Sequence, residues 1–250
     1  MTGGSAAALL FGAGVLAGIV GTAGGITSLV SYSALLLVGV PALRANVVNT
    51  IAIVACWPGS ALASRPELAG RGPWLARWSV VAAAGGAAGA ALLLSTAPGV
   101  FGRVVPFLVA AGALALLFQP RLRSLAASSS RGRLLLPCAL TALSAYNGYF
   151  GAGSGVLLLT LMLVVAEPRL AHANALKNML LGPAEITAAV LFAVLSPVDW
   201  AAAGPLAAGL FLGSTIGPRV ARRTPAAVLR WLIALAGLGL AAHLWADPAL

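Results

Sequence analysis

The sequence predicts an all-α polytopic membrane protein made of two inverted repeats, each of about five helical segments and each opened by short helices that glycines break. Three observations predict it. The chain is 60% hydrophobic and only 8% charged. Apolar runs near the length of a bilayer span recur from end to end. An ordered set of glycines and asparagines recurs at a nearly constant spacing.

Composition excludes a soluble domain. Soluble folds carry about 25% charged residues, and surface-to-volume scaling leaves a 250-residue chain no way to hide this much apolar surface from water. A bilayer removes the conflict, because about 20 apolar residues in a helix cross roughly 30 Å of hydrocarbon. In lipid every backbone N–H and C=O must be satisfied within its own segment, so the spans are predicted to be helices. One membrane domain over residues 1–250 accounts for the chain. The N-terminus has no basic region of the kind that opens a cleaved signal peptide.

Segments follow in order. The first repeat, about 5–119, holds apolar segments at 5–21, 26–40, 45–64, 74–96 and 103–119. A linker, about 120–133, is predicted to be cytoplasmic. The second repeat, about 134–246, holds segments at 134–147, 155–166, 172–195, 199–217 and 225–245. Gly18, Gly21 and Gly25 reappear 130 positions later as Gly148, Gly151 and Gly155. Ala45 and Asn46 reappear 128 positions later as Ala173 and Asn174, and Gly85 and Gly89 reappear 124 positions later as Gly209 and Gly213. The order is kept while the shift drifts, as small loop insertions produce.

Arginine sets the orientation. Arg65, Arg71 and Arg77, then Arg121, Arg123, Arg131 and Arg133, then Arg219, Arg222 and Arg223 supply ten of the 15 Lys and Arg residues, in three short loops. Cytoplasmic loops are enriched in these residues. An even number of segments separates the three loops, so one topology places all of them inside and both chain ends outside. An odd number of segments per repeat inverts the second repeat, an arrangement common in secondary transporters. The net charge of +10 is thus topogenic. No basic run carries interleaved aromatics, so nucleic acid is not an expected partner.

Each repeat opens on two segments, read as short, joined by a glycine-rich turn: Gly18 to Gly25 in the first and Asn147 to Gly155 in the second. Paired glycine-interrupted segments in both halves are the strongest sequence pointer to a transporter's binding site. Glycine lets the chain leave helical geometry, and the helix that restarts presents free N–H groups and a positive dipole end. Gly21, Thr22, Gly24, Gly25, Asn147, Gly151, Gly153, Ser154 and Gly155 are therefore candidate binding residues for a small anion. The competing reading, close helix packing through small residues, is the one given to Gly85, Gly86, Gly89, Gly209, Gly213 and Gly217.

A polar stripe follows each opening. Asn46, Asn49 and Thr50 share one helix face, and Asn174, Lys177 and Asn178 stand 128 positions later. These six are predicted to face the substrate, with Lys177, the single lysine of the chain, offering a full charge; a helix end at the membrane interface is the alternative. Glu185, eight residues beyond Lys177 in an apolar segment, is a coupling candidate. The alternative there is that Pro183 disturbs the helix and lets Glu185 reach water. Arg44, Arg103 and Arg230 are read as interface anchors and the six tryptophans mostly as an aromatic belt. Cys56 and Cys138 form neither a metal site nor a bridge framework, and no metal or cofactor is expected.

The run Gly18 to Gly25, then Gly39-Val-Pro41, then Ala45-Asn46 through Asn49-Thr50, resembles the sulfite exporter TauE/SafE family. Gly148 to Gly155 followed by Ala173-Asn174 is similar to that family's second half. The resemblance implies a bacterial inner-membrane permease for small sulfur oxyanions or organosulfonates, with the lipid bilayer as environment and a small anion as substrate; association into a homodimer is compatible with it. Two other readings stand beside it. Ser154 and His243 invite comparison with an intramembrane serine protease, although Ser154 follows Gly151-Ala-Gly rather than Gly-x-Ser-Gly order. A non-transporting structural membrane subunit is the third.

Overall fold

The computed structural model describes residues 3–118, 121 and 132–221, together with 231, 235, 238, 239, 242 and 245. The described elements are helices: α1 (Gly3–Gly24), α2 (Thr27–Leu37), α3 (Ala42–Ile53), α4 (Cys56–Ala63), α5 (Arg65–Leu68), α6 (Gly72–Ser95), α7 (Pro98–Leu117), α8 (Gly132–Tyr149), α9 (Ser154–Val165), α10 (Leu170–Leu195) and α11 (Trp200–Ala221). The expected tenth segment at 225–245, most of the linker 120–133, and Arg123, Arg131, Arg222, Arg223, Arg230 and His243 lie outside the described residues.

Five stretches are long and apolar enough to cross a membrane: Gly3–Gly24, Ala42–Ala63, Gly72–Ser95, Leu170–Leu195 and Trp200–Val220. Large apolar side chains on their outer faces are exposed, including Val80, Leu92, Val194 and Leu212. In water such exposure would oppose folding; against hydrocarbon it costs nothing.

The helices depart from the sequence reading in three places. The opening segments are not both short. α1 has 22 residues and α8 has 18, whereas α2 has 11 and α9 has 12. Ser144, Asn147 and neighbouring glycines thin the hydropathy of α8 without ending its hydrogen bonding. The segment expected at 45–64 is two helices, α3 and α4, broken at Val54 and Ala55. Pro58 has no N–H and its ring crowds the carbonyl four residues back, at Val54. The turn there closes through Trp57 N–H to Val54 O at 3.1 Å. Conversely, α10 runs through Pro183 without interruption. The Thr187 hydroxyl lies 3.0 Å from Pro183 O and 2.9 Å from Ala83 O of α6, giving it a cross-helix partner.

Small residues let helices approach in the absence of a hydrophobic force between them. α1 packs along α11 through Gly14 and Gly18 against Gly209 and Gly213. A Cβ at Gly18 would stand 2.6 Å from Leu210 O and 2.9 Å from Gly213 Cα. α6 packs along α8 in the same manner, a Cβ at Gly85 standing 2.7 Å from Thr141 O. The first helix of each half of the chain therefore lies against the fourth apolar segment of the other half. Two apolar clusters fill the interior. One gathers α1, α2, α3, α7 and α11; the other gathers α6, α8, α9 and α10. Tyr32 of α2 meets Phe150, in the turn between α8 and α9, edge to face at 5.3 Å between ring centres.

Candidate functional site

Two helix breaks build the site. α1 ends at Gly24, and the Gly25 N–H donates to Gly21 O at 2.6 Å with Gly25 at φ +83°. α8 ends at Tyr149, and the N–H groups of Phe150 and Gly151 both converge on Tyr146 O, at 3.0 and 3.1 Å. Gly151 at φ +79° closes α8, and Gly153 at φ +75° starts α9. A residue with a Cβ pays about 1–2 kcal/mol for this left-handed conformation, so glycine is required. The Tyr146 hydroxyl donates to Ala152 O at 2.6 Å and holds the second turn in place. The breaks touch each other: a Cβ on Gly25 would lie 2.5 Å from the carbonyl carbon of Gly155.

The polar stripes bind the opposite break. Asn46 Nδ2 of α3 donates to Tyr149 O at 2.9 Å. Asn174 Nδ2 and Asn178 Nδ2 of α10 donate to Thr22 O at 2.8 and 3.1 Å, and Lys177 Nζ donates to Gly21 O at 3.3 Å. The last carbonyls of a helix lack an intrahelical donor; Asn46, Asn174 and Asn178 supply one from the other half of the chain, and Lys177 is a second donor to Gly21 O beside the Gly25 N–H. Asn49 Oδ1 accepts from Ser31 Oγ of α2 at 2.5 Å, and the Thr50 hydroxyl turns back to Asn46 O at 3.0 Å. Lys177 is fully buried.

A cavity of about 30 Å³ lies between the breaks. Of the residues singled out in the sequence, it is lined by Gly21, Thr22, Gly25, Asn147, Gly151, Ser154, Gly155, Asn178 and Glu185. Gly24, Asn46, Asn49, Thr50, Gly153, Asn174 and Lys177 do not line it. The structure adds Thr27 and Ser28 at the start of α2, Ile53 of α3, Cys56, Trp57 and Ser60 of α4, and Leu181 of α10. Trp57 lines the cavity while 36% exposed: its indole lies over Gly182 of α10, where any Cβ would collide with it. No local pattern announces the three from α4, because that helix starts only at the Pro58 break. The cavity has room for one to two water-sized groups, so a four-atom oxyanion needs a small outward adjustment of its wall.

One polar group in the cavity wall has no partner. Asn147 is 6% exposed and its Nδ2 donates to nothing, while its Oδ1 accepts from the Ser154 hydroxyl at 2.6 Å. The Glu185 carboxyl faces the same amide and feels the charge of Lys177. The Asn147 amide thus has one acceptor beside it, the Glu185 carboxyl, with which it closes no hydrogen bond, and a buried donor left open costs about 1–3 kcal/mol.

A second charged cluster sits between α9 and α10. Glu167 pairs with Arg71, the residue before α6, at 2.6 Å and with Arg169 at 2.8 Å. Hydrogen bonding from Arg169, and then the two positive charges, hold the Glu167 carboxyl at about 2, well below its usual 4.5.

Residues 6–244 match the protein family described as sulfite exporter TauE/SafE. The chain belongs to that family. It is also 28% identical over 246 residues to the probable membrane transporter protein ORF9 of Sinorhizobium sp, covering 96% of this chain and 93% of the relative. No solved structure matches it. This TauE/SafE chain is thus a multi-pass membrane protein of a transporter family, and its broken helices sit where the glycine-rich runs that resemble the family predicted a break. Among its described residues no group of three or more His, Cys, Asp or Glu is placed to hold a metal ion. Ser154 is hydrogen-bonded to the Asn147 amide, which is no general base, and to Gly151 O at 2.8 Å.

Proposed function

We propose that the chain is a secondary transporter for small sulfur oxyanions, sulfite foremost, which bind in the cavity between the two helix breaks and cross by alternating access of two inverted repeats. The observation that carries this reading is the buried, unpartnered Asn147 Nδ2 in the wall of a cavity lined by both breaks. An oxyanion would bring several acceptors to this donor, in place of the Glu185 carboxyl that faces it.

Reciprocity supports the inverted repeats. Asn46 in one half and Asn174 in the other stand at equivalent sequence positions, and each donates to a terminal carbonyl of the opposite half. The exchange of partners between α1 with α11 and α8 with α6 has the same two-fold character. With both ends outside the inner membrane, the arginine-bearing ends of the helices face the cytoplasm.

Direction follows from energy. Moving one charge across 100 mV is worth about 2.3 kcal/mol, roughly 50-fold in concentration, so an inside-negative potential drives an anion outward. Uptake would need a cotransported cation. Glu185, in the cavity wall, is the group that would carry a coupling proton.

The test is efflux of labelled sulfite from proteoliposomes holding the purified chain. Release faster than from chain-free vesicles, and accelerated by an inside-negative potential, is the expected result. Equal release with and without the chain contradicts the reading. Sulfate, sulfoacetate and taurine offered as competitors define the substrate range.

A further inference from the structure

Lys177 has a chemistry that hydrogen bonding does not explain. Its stripe on α10 caps the end of α1, where Asn174 and Asn178 satisfy Thr22 O with neutral amides. A neutral amide at position 177 would satisfy Gly21 O equally well, and Asn49 stands at the corresponding place in the first stripe. What lysine adds is a charge, fully buried and set on the carbonyl end of a broken helix. Burying an ammonium costs several kcal/mol. The negative end of the α1 dipole and the Glu185 carboxyl work against part of that cost. Such helix ends are where transporters of this general construction hold sodium or a proton; here Thr22 O accepts from two amides and Gly21 O from the Gly25 N–H, which leaves Gly21 O a second lone pair, the one the ammonium takes.

We propose that the C-terminal end of α1 is a seat for one small monovalent cation, and that the Lys177 ammonium fills it as a tethered ion. The groups that titrate in its field are Glu185 on its own helix and Cys56 on α4. Both lie at the cavity wall, which makes the ammonium a fixed counter-charge for an anion in the cavity. The consequence is that transport needs no dissolved sodium at this end of the site. That consequence rests on the transport reading above; the seat itself does not.

The test uses the purified full chain in detergent, melted in sodium chloride or choline chloride at equal ionic strength, with ethylammonium chloride as a third condition. The wild type should melt identically in sodium and choline. Lys177→Ala should melt lower in choline and regain roughly 2–4 °C or more, saturably, with ethylammonium or sodium. Lys177→Gln keeps a donor for Gly21 O and most of the volume, and it should become sodium-responsive. A saturable sodium effect on the wild type overturns the proposal, as does a Lys177→Gln variant that melts like the wild type and ignores sodium, since Lys177 would then be a hydrogen-bond donor only. In proteoliposomes, wild-type sulfite flux should stay within twofold when choline replaces sodium. Absence of any flux would count against the transport reading and leave the melting curves to decide the seat.

Discussion

Gly25 and Gly155 meet backbone to backbone. A Cβ on Gly155 would stand 2.6 Å from the Cα of Gly25, and Gly25 itself holds φ +83°. The two helix breaks, 130 residues apart in sequence, are one structural feature in space.

Substitution there should be severe. Gly25→Ala adds about 1–2 kcal/mol of backbone strain to about 1–3 kcal/mol of overpacking. Gly155→Ala adds the overpacking alone. Both should lower the melting temperature in detergent, Gly25→Ala more. Gly24→Ala is the comparison, since its Cβ would meet only Ile26 carbons at 3.8 Å or more. An equal loss in all three variants would remove the contact as the cause.

Asn147→Asp removes the unpartnered donor and keeps the acceptor for Ser154. A hydrogen bond to a charged group is worth about 1.5–3 kcal/mol, so sulfite affinity measured by titration calorimetry should fall about ten- to hundredfold. Unchanged affinity would mean that the anion binds elsewhere.

The Glu167 cluster predicts a pH window. Its folded pKa of about 2 lies below the ordinary 4.5, so its contribution to stability is complete above pH 4.5 and is lost as pH falls toward 2. Glu167→Gln should melt lower than the wild type at neutral pH, and the gap should close across that window. A constant gap from pH 7 to pH 2 would show that the ion pairs with Arg71 and Arg169 contribute nothing.

Glu185→Gln keeps the shape of the carboxyl and removes its proton exchange. Sulfite flux in proteoliposomes should lose its dependence on a pH gradient while retaining its response to membrane potential. A pH dependence like the wild type's would remove Glu185 as the proton-carrying group.

Much of this was legible in the sequence, for physical reasons. Gly25, Gly151 and Gly153 were readable because glycine alone holds a positive φ without penalty. Gly209 and Gly213 were readable as packing because their spacing is that of close helix contact. The stripes at Asn46 and Asn174 were visible as faces of a helix, yet their partners, Tyr149 and Thr22, lie 103 and 152 residues away. Local periodicity carries no information about such pairings, so capping of the opposite break went unseen. Lys177, expected to face the substrate, donates to Gly21 O and does not line the cavity. That Trp57 also lines the cavity was not legible, because the Pro58 break that starts α4 looked like part of one continuous span.

Crystals of the chain soaked with selenite, a heavier analogue of sulfite, test the central claim most directly. The account predicts an anomalous peak in the cavity between Gly25 and Gly155, within hydrogen-bond reach of Asn147 Nδ2. A peak only at surface arginines, or density showing unbroken helix through residues 21–25 and 147–155, would contradict it.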